Sequence, residues 1–472
     1  MTDQTQKYQD VDQIVAAVLG LNPAELNDEL SYQSIHQWDS LSHVDLMLAL
    51  EKQYQCKISQ DLLTELVTVK ALRHWAAGAA NRAAPAPVPA PAQGPVLYRG
   101  LNGIHFDSSR ITRIDGTNGV LEYCGYSIHE LAELSSFDEV AFLLHFGHLP
   151  DAAQRQAFQD ELSAARALPA SVAQLMRDLR HAHPVEAVRT GVSALGGFDP
   201  HASDPSAPAR RAVGVRLLAQ IPLLIATHHA ARSGRALVTP DAGLPLIDHL
   251  LWMLKGEAPS ALEVRLMNCD FVVHADHSSN ASTFAARVAT GCQVDMYGVI
   301  TAAIATFAGD LHGGAIERVM DMIDAIGTVE NTAAYVAQRR AANLPVMGFG
   351  HRVYRTEDPR VRHLRGAALR ASQERGDLTG FQIIQALETE MAPYARHGIE
   401  ANVDLYAGLL YRMLGLPNDL SVPLFIAARM AGWAAHALEQ DANNILIRPL
   451  LHYSGRSGLV HPARGGAHAF PN

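Results

Sequence analysis

The sequence predicts a mainly α-helical chain built of two unequal helical parts joined by a tether. Three observations carry that expectation. Apolar residues recur at helical spacing through most of the chain, with short Gly, Pro and Asp interruptions between the periodic runs. Strand-like alternation is scarce, and 110–123 alone reads as a hairpin, with Asp115-Gly116 at its turn. The stretch AAPAPVPAPAQGP separates an acidic first part from a longer second part.

Residues 1–77 hold eleven Asp/Glu against five Lys/Arg, so a net −6 of the chain's −10 lies there. Within them, 11–19 is amphipathic, and 41–50 places Leu41, Val44, Leu48 and, on the flank, Met47 at helical spacing. Val44, Leu48, Ile58 and Leu62 to Leu66 read as the core of this small part. Residues 78–95 have the composition of a semi-rigid extended tether, which at about 3.1 Å per residue spans roughly 50 Å. From 96 onward helix follows helix, with 138–146, 152–166, 213–232, 315–326 and 424–440 the clearest, and no internal repeat is evident.

Composition excludes several classes. A chain of 472 residues can bury large cores, and 48% apolar with 18% charged residues is an ordinary globular mix. No run approaches the roughly 18 apolar residues of a membrane span, and MTDQTQKYQD lacks the basic start and apolar stretch of a secretory signal. Cys56, Cys124, Cys269 and Cys292 are widely spaced and form no CxxC pair, so neither disulfides nor a structural zinc are expected, and a reducing cytoplasm is the expected location. Nothing resembles a basic nucleic-acid surface. The acidic first part suits docking on basic patches of partner proteins.

Three short stretches set single proton-handling groups in apolar, Gly-rich or helical contexts where they are costly without a task. They are Leu311-His312-Gly313-Gly314-Ala315, Gly348-Phe349-Gly350-His351-Arg352 and Asn402-Val403-Asp404-Leu405-Tyr406. Asp404 is the only acid in the helix-like run 402–416, and a dry setting raises a carboxyl toward the pKa needed to deprotonate a thioester methyl. His312 precedes a helix whose amino terminus disfavours imidazolium, leaving a neutral N–H donor for an enolate oxygen. His351 suits stabilising or protonating the alkoxide formed when that enolate adds to a keto carbon. Arginines such as Arg360, Arg429 and Arg448 supply the planar, permanent charge that an anionic keto acid needs. Any one of these residues alone reads as a satisfied loop, core or surface residue; the ordered set reads as condensation chemistry. His274 and His277, three apart on a helix, make a conceivable metal pair without a third ligand, and no metal is expected.

From residue 100 to about 454 the sequence resembles the citrate synthase family in its short bacterial and archaeal form. The resemblance is carried by Ile114-Asp115-Gly116, by His181-Ala182-His183-Pro184 leading into Arg189-Thr190-Gly191-Val192-Ser193-Ala194-Leu195, and by His274-Ala275-Asp276-His277 before Asn280-Ala281-Ser282-Thr283-Phe284. The three stretches above follow in the family's order. The resemblance implies the family's all-α two-subdomain fold, with His312, His351 and Asp404 catalytic. It implies acceptor contacts from His277, Arg360, Arg429 and Arg448, the last reaching across a homodimer into the neighbouring site. It also implies that the 346–350 backbone recognises CoA, Gly348 and Gly350 allowing close approach, and that Arg355 meets a phosphate. One position departs: Ser278 stands where many members carry Glu, which leaves the identity of the acceptor open.

Residues 8–75 resemble an acyl carrier protein, and Trp38-Asp39-Ser40-Leu41 matches the site where 4′-phosphopantetheine is attached, here Ser40. A serine at a helix start flanked by acids suits a phosphopantetheinyl transferase; helix capping by Asp39 or Ser40 is also supported, and both can hold. The two resemblances divide the chain into a carrier-like domain at 1–77, a linker at 78–95 and a citrate synthase-like domain at 96–472. Together they imply a carrier-linked acyltransferase that condenses an acetyl or short acyl thioester, such as acetyl-CoA, with oxaloacetate or a similar 2-oxo acid. Specialised metabolism, with other carrier-dependent biosynthetic enzymes as partners, is the implied setting. A citryl-thioester lyase running the reverse reaction and a 2-methylcitrate synthase stay open on the same residues. A non-catalytic scaffold is a further reading, against which the intact His312, His351, Asp404 and arginine set argues.

Overall fold

The computed structural model describes residues 2–461 apart from 33, 36, 55, 59, 80–96, 102, 343, 396–397 and 460. The expected tether at 78–95 thus lies almost wholly outside the described residues. Its first two positions belong to a helix that runs to Ala79, past the expected boundary at 77.

The first part comprises α1 (Thr2–Leu19), α2 (Ser40–Tyr54), α3 (Gln60–Glu65) and α4 (Val69–Ala79). Helix α2 starts where it does because Asp39 caps it. The Asp39 carboxylate accepts the Ser42 N–H at 2.9 Å, and the Ser42 hydroxyl accepts the Asp39 N–H at 2.8 Å. Val11, Val15, Leu19, Trp38, Leu46, Met47, Leu50 and Leu72 form its core. Arg73 ties α4 to α1 by donating from Nε and Nη2 to the two oxygens of Asp12, each at 2.8 Å. The core assignment of Val44 and Leu48 is corrected. Both pack against the core of the larger part, while Ile58, Leu63 and Leu66 stay in the small one. Helical spacing identifies an apolar stripe but not which of two cores it faces.

The larger part opens with an antiparallel sheet of β1 (Thr112–Asp115), β2 (Val120–Tyr123) and β3 (Tyr126–Ser127), in that order, so the expected hairpin is present with a short third strand. Asp115 shapes the turn by accepting the Thr117 and Asn118 N–H groups at 3.1 and 3.0 Å. Helices then follow closely: α5 (Ile128–Leu134), α6 (Phe137–Phe146), α7 (Ala152–Ala164), α8 (Ala170–Asp178), α9 (Pro184–Phe198) and α10 (Ala207–Arg232). Next come α11 (Leu246–Lys255), α12 (Ala261–His274), α13 (Ala281–Gly291), α14 (Met296–Phe307), α15 (Ala315–Ile326) and α16 (Thr332–Ala341). The last are α17 (Val361–Arg375), α18 (Thr379–Ala395), α19 (Val403–Met413) and α20 (Ser421–Ala442).

Local chemistry sets the boundaries. Ser136 with Glu139, Asp151 with Gln154 and Ser260 with Glu263 form reciprocal capping boxes at the starts of α6, α7 and α12. Helix α10 starts six residues before the expected 213, because Ser206 caps it and Pro208 occupies its first turn. Helix α20 is the centre of the part: Leu424, Ile426, Met430 and Trp433 are fully buried on different sides of it, and it packs on α10, α12, α13 and α14. Burying each such side chain contributes about 1.5–3 kcal/mol. No helix among the described residues is long and apolar enough to cross a membrane.

Candidate active site

Asp404 is the second residue of α19, and the side chain of Asn402 caps that helix by accepting the Asp404 N–H at 3.1 Å. A helix amino terminus favours the carboxylate. Burial acts the other way and wins, so the Asp404 pKa is pushed up to about 7 against the pull of Arg360 and Arg429, with Asp358 adding to the rise. The carboxyl side chain nonetheless keeps partial access to solvent.

The loop bearing His351 is stitched to the entry of this helix. Asn402 donates its N–H to the Gly348 carbonyl at 2.9 Å and its side-chain amide to the Gly350 carbonyl at 3.2 Å. The Gly350 N–H returns to the Glu400 carbonyl at 2.8 Å. Gly348 must be glycine on two counts, since its φ is 81° and a Cβ would stand 2.4 Å from Leu405 Cγ. On the far side, the β1–β2 turn braces the loop: Arg355 donates its N–H to the Gly116 carbonyl at 2.8 Å, and a Cβ on Gly116 would lie 2.2 Å from the Val353 oxygen.

His351 Nδ1 accepts the N–H groups of Val353 and Tyr354 at 3.0 and 3.1 Å. A ring nitrogen that accepts cannot carry the proton, so the neutral ring holds it on Nε2. Burial first, with Arg360 and Arg355 adding to it against Asp358, pushes the His351 pKa down to about 4. His277 lies edge-on to this ring, with centroids 5.1 Å apart, and its Nε2 is 3.2 Å from the Tyr354 hydroxyl. Burial, then Arg360 and His351, holds His277 well below the usual histidine range.

His312 has the opposite tautomer. Its Nε2 accepts the Ser282 backbone N–H at 3.3 Å and lies 2.9 Å from the Ser282 hydroxyl, so the neutral ring carries its proton on Nδ1. Burial and then Arg429 push its pKa down to about 4. The expected neutrality is therefore found, but the helix amino terminus that meets the ring belongs to α13, capped by Asn280, and not to the following α15. The Ser282 hydroxyl is itself held, 2.7 Å from Asn280 Oδ1 and accepting the Trp433 indole N–H at 3.1 Å.

Arg360 and Arg429 are both buried. Asp358 fixes Arg360 through Nε and Nη2 at 2.9 and 2.6 Å, and Arg360 holds that carboxyl below the usual range despite burial. Arg429 donates from Nε to the His274 carbonyl at 2.7 Å and stands over the Phe425 ring at 4.9 Å. Burial pushes its pKa down to about 10, so it stays charged at neutral pH. The charges of both arginines act on His277 and on Asp404, which brings these candidate residues into one field.

Other expected residues lie elsewhere. Arg448 is exposed in the segment after α20, outside this cluster, where Ile445 and Ile447 pack on Gly291. Arg355 is half-buried, and its charge acts on His351. Ser40 opens α2 in the small part. His274 and His277 do not share a helix, because α12 ends at His274; the ring of His274 lies tilted against Phe425 with centroids 4.0 Å apart. Among the described residues, His277, His351 and Asp358 have ligand-type atoms within 4.8 Å of one another. Asp358 is engaged by Arg360 through both oxygens, and His351 Nδ1 by two N–H groups, so this donor set fits an anion beside Arg360 better than a cation. Ser278, the departing position, sits at φ 48° with its N–H on Asp276 Oδ2 at 2.8 Å. Sequence reasoning missed Ser282, Tyr354 and Asp358 as supporting residues; the only signal was their presence inside or beside the quoted motifs.

Two family models match the chain: "Citrate synthase, C-terminal domain" over residues 100–450 and "Phosphopantetheine attachment site" over residues 9–76. The citrate synthase of Deinococcus radiodurans is 40% identical over 361 residues, covering 76% of this chain and 96% of that protein. A 2-methylcitrate synthase of Mycobacterium tuberculosis is 38% identical over 370 residues, covering 78% of this chain and 93% of that protein. The ternary complex of citrate synthase from Thermoplasma acidophilum with carboxymethyl coenzyme A and oxaloacetate superposes with a TM-score of 0.73 at 27% identity, over 78% of this chain and 99% of that one.

Proposed function

The chain belongs to the citrate synthase family of C–C bond-forming acyltransferases, and from that premise we propose that it is a carrier-linked member. It condenses an acetyl or short acyl thioester with oxaloacetate or a close 2-oxo acid. Asp404 takes the proton from the carbon next to the thioester, His312 Nδ1–H donates to the enolate oxygen, and His351 Nε2–H donates to the alkoxide as the new C–C bond forms. Arg360, Arg429 and His277 hold the acceptor's carboxylates, and Arg448 completes that set from the partner subunit of a homodimer. The 346–350 loop and Arg355 receive the CoA or pantetheine portion. The observation that carries this reading is the pairing of a largely buried Asp404, its pKa raised to about 7, with two neutral histidines of opposite tautomer.

The carrier half rests on Ser40. Because Asp39 supplies the cap of α2, the fold does not need Ser40 in that role, which suits it to bear a phosphopantetheine. That group would supply a thiol on which the acyl portion is held as a thioester. The parts at 1–77 and 96–472 then act through the tether at 78–95, served by a phosphopantetheinyl transferase and by other carrier-dependent enzymes of specialised metabolism in the cytoplasm.

Intact mass tests the reading. Phosphopantetheinylation should add an arm-sized mass at Ser40, and acetyl-CoA with oxaloacetate should then add an acetyl- or citryl-sized mass. A citryl-sized gain, which needs the new C–C bond, should vanish in Asp404→Ala. Free citrate formed equally fast by Ser40→Ala and the holo-protein would contradict carrier linkage while leaving the condensation intact.

A further inference from the structure

Helix α2 has two apolar faces. Leu46, Met47 and Leu50 are buried in the small part's own core, whereas Val44, only 3% exposed, and Leu48 lie on the core of the larger part. Asp45, between them in sequence, reaches across. One of its oxygens accepts from Arg340 Nη2 and from the Tyr394 hydroxyl, both at 3.2 Å. The Arg340 guanidinium stands over the Tyr394 ring at 5.0 Å, which holds the two donors together. An acidic helix with an apolar centre thus meets a cation–ring pair, the charges lying at the rim with 44% and 23% exposure.

The landing site is joined to the candidate active site from both sides. Arg340 lies in the last turn of α16, and its neighbour Arg339 donates from Nε and Nη2 to the Pro345 carbonyl at 3.0 and 2.9 Å, at the start of the 346–350 loop. Tyr394 lies in the last turn of α18, and its carbonyl accepts the Ile399 N–H at 3.4 Å. The chain then enters the segment that bonds to Gly348 and Gly350 and leads to Asp404. Ser40, the first residue of α2, precedes Val44 by four residues, about one helical turn or roughly 6 Å along the axis.

We infer that Val44, Asp45 and Leu48 form the surface by which the carrier part docks on α16 and α18 of its own chain, seating Ser40 beside the 346–350 loop. This deepens the carrier-linked reading and rests on it. The docked face is covered, so a separate enzyme using the same face must displace the larger part first.

Two measurements on the full-length holo-protein test this. Asp45→Arg and Arg340→Asp should each slow turnover of acyl groups loaded on Ser40 by about three- to tenfold, as loss of a rim ion pair and introduction of repulsion would, and leave turnover of free acyl-CoA unchanged. The double variant Asp45→Arg with Arg340→Asp should recover most of the loss. Hydrogen exchange in residues 332–345 and 388–399 should rise in Asp45→Arg and return in the double variant. Unchanged exchange and unchanged arm-dependent turnover in both single variants would overturn the docking surface. Changed exchange without any arm-dependent turnover would retain the surface and overturn the carrier-linked function instead. Restored arm-dependent turnover on mixing Ser40→Ala with Asp404→Ala protein would overturn docking within one chain.

Discussion

The role proposed for Asp404, removing a proton from carbon, needs a carboxyl basic enough to accept it, and Asp404 is set apart from both histidines in this respect. Its pKa is pushed up to about 7 by burial, whereas His312 and His351 are pushed down to about 4. Above pH ~5 the rings are neutral donors, so Asp404 alone titrates in the working range. The plot of log kcat/KM against pH should rise with unit slope up to about 7 and then level; a rise centred below 5 would remove the dry setting assigned to Asp404. Linkage gives a second readout. The folded state keeps a proton that the unfolded chain releases near the ordinary value of 3.8, so stability falls as pH rises from about 4 to 7 and the penalty is complete above 7. Asp404→Asn should therefore abolish activity and, allowing for partial solvent access, gain roughly 1–3 kcal/mol at pH 8 but little at pH 4. Denaturant titrations at the two pH values check this, and equal gains at both would sink it.

At the scale of elements, the 348–350 loop and the entry of α19 act as one unit. Gly348→Ala would combine a left-handed backbone with a Cβ at 2.4 Å from Leu405 Cγ, whereas Gly350→Ala carries the backbone strain at φ 87° with no atom within 4 Å. The first should cost roughly 2–4 kcal/mol and raise the KM for acyl-CoA, and the second about 1–2 kcal/mol. Urea midpoints that rank the two the other way would mean Leu405 is not what fixes the loop. The helices themselves are legible from their period, and His312, His351 and Asp404 stand out as candidates because they are titratable groups in Gly-rich or apolar settings. Ser282 does not, because a serine two residues after Asn280 reads as part of a helix cap, and its contact with His312 crosses thirty residues. Asp358 reads as a turn residue before proline, and only the fold reveals its bidentate hold on Arg360. Sequence alone assigns Val44 and Leu48 to the small part's core because a stripe on α2 carries no label for its partner, whereas both pack on the larger core, and Asp45 meets Arg340 across 295 residues.

For the whole molecule, the consequence of fusing a carrier to its enzyme is a change in reaction order. On the proposed carrier-linked reading, a thioester on Ser40 would be confined near one active site at an effective concentration on the order of millimolar, whatever the protein concentration. Single turnover of acyl-loaded holo-protein with excess oxaloacetate should therefore give the same first-order rate constant over about a hundredfold dilution. Free acyl-CoA should compete only as it approaches roughly millimolar levels. Rapid quench with mass readout of the Ser40-containing peptide measures both. A rate constant that falls in proportion to protein concentration would mean that the arm visits other molecules, and the tether would then serve to present Ser40 to separate enzymes. A constant rate in the wild type that becomes concentration-dependent in Asp45→Arg would instead tie the confinement to the α2 contact, because the tether alone sets the local concentration but only the docked face sets the orientation.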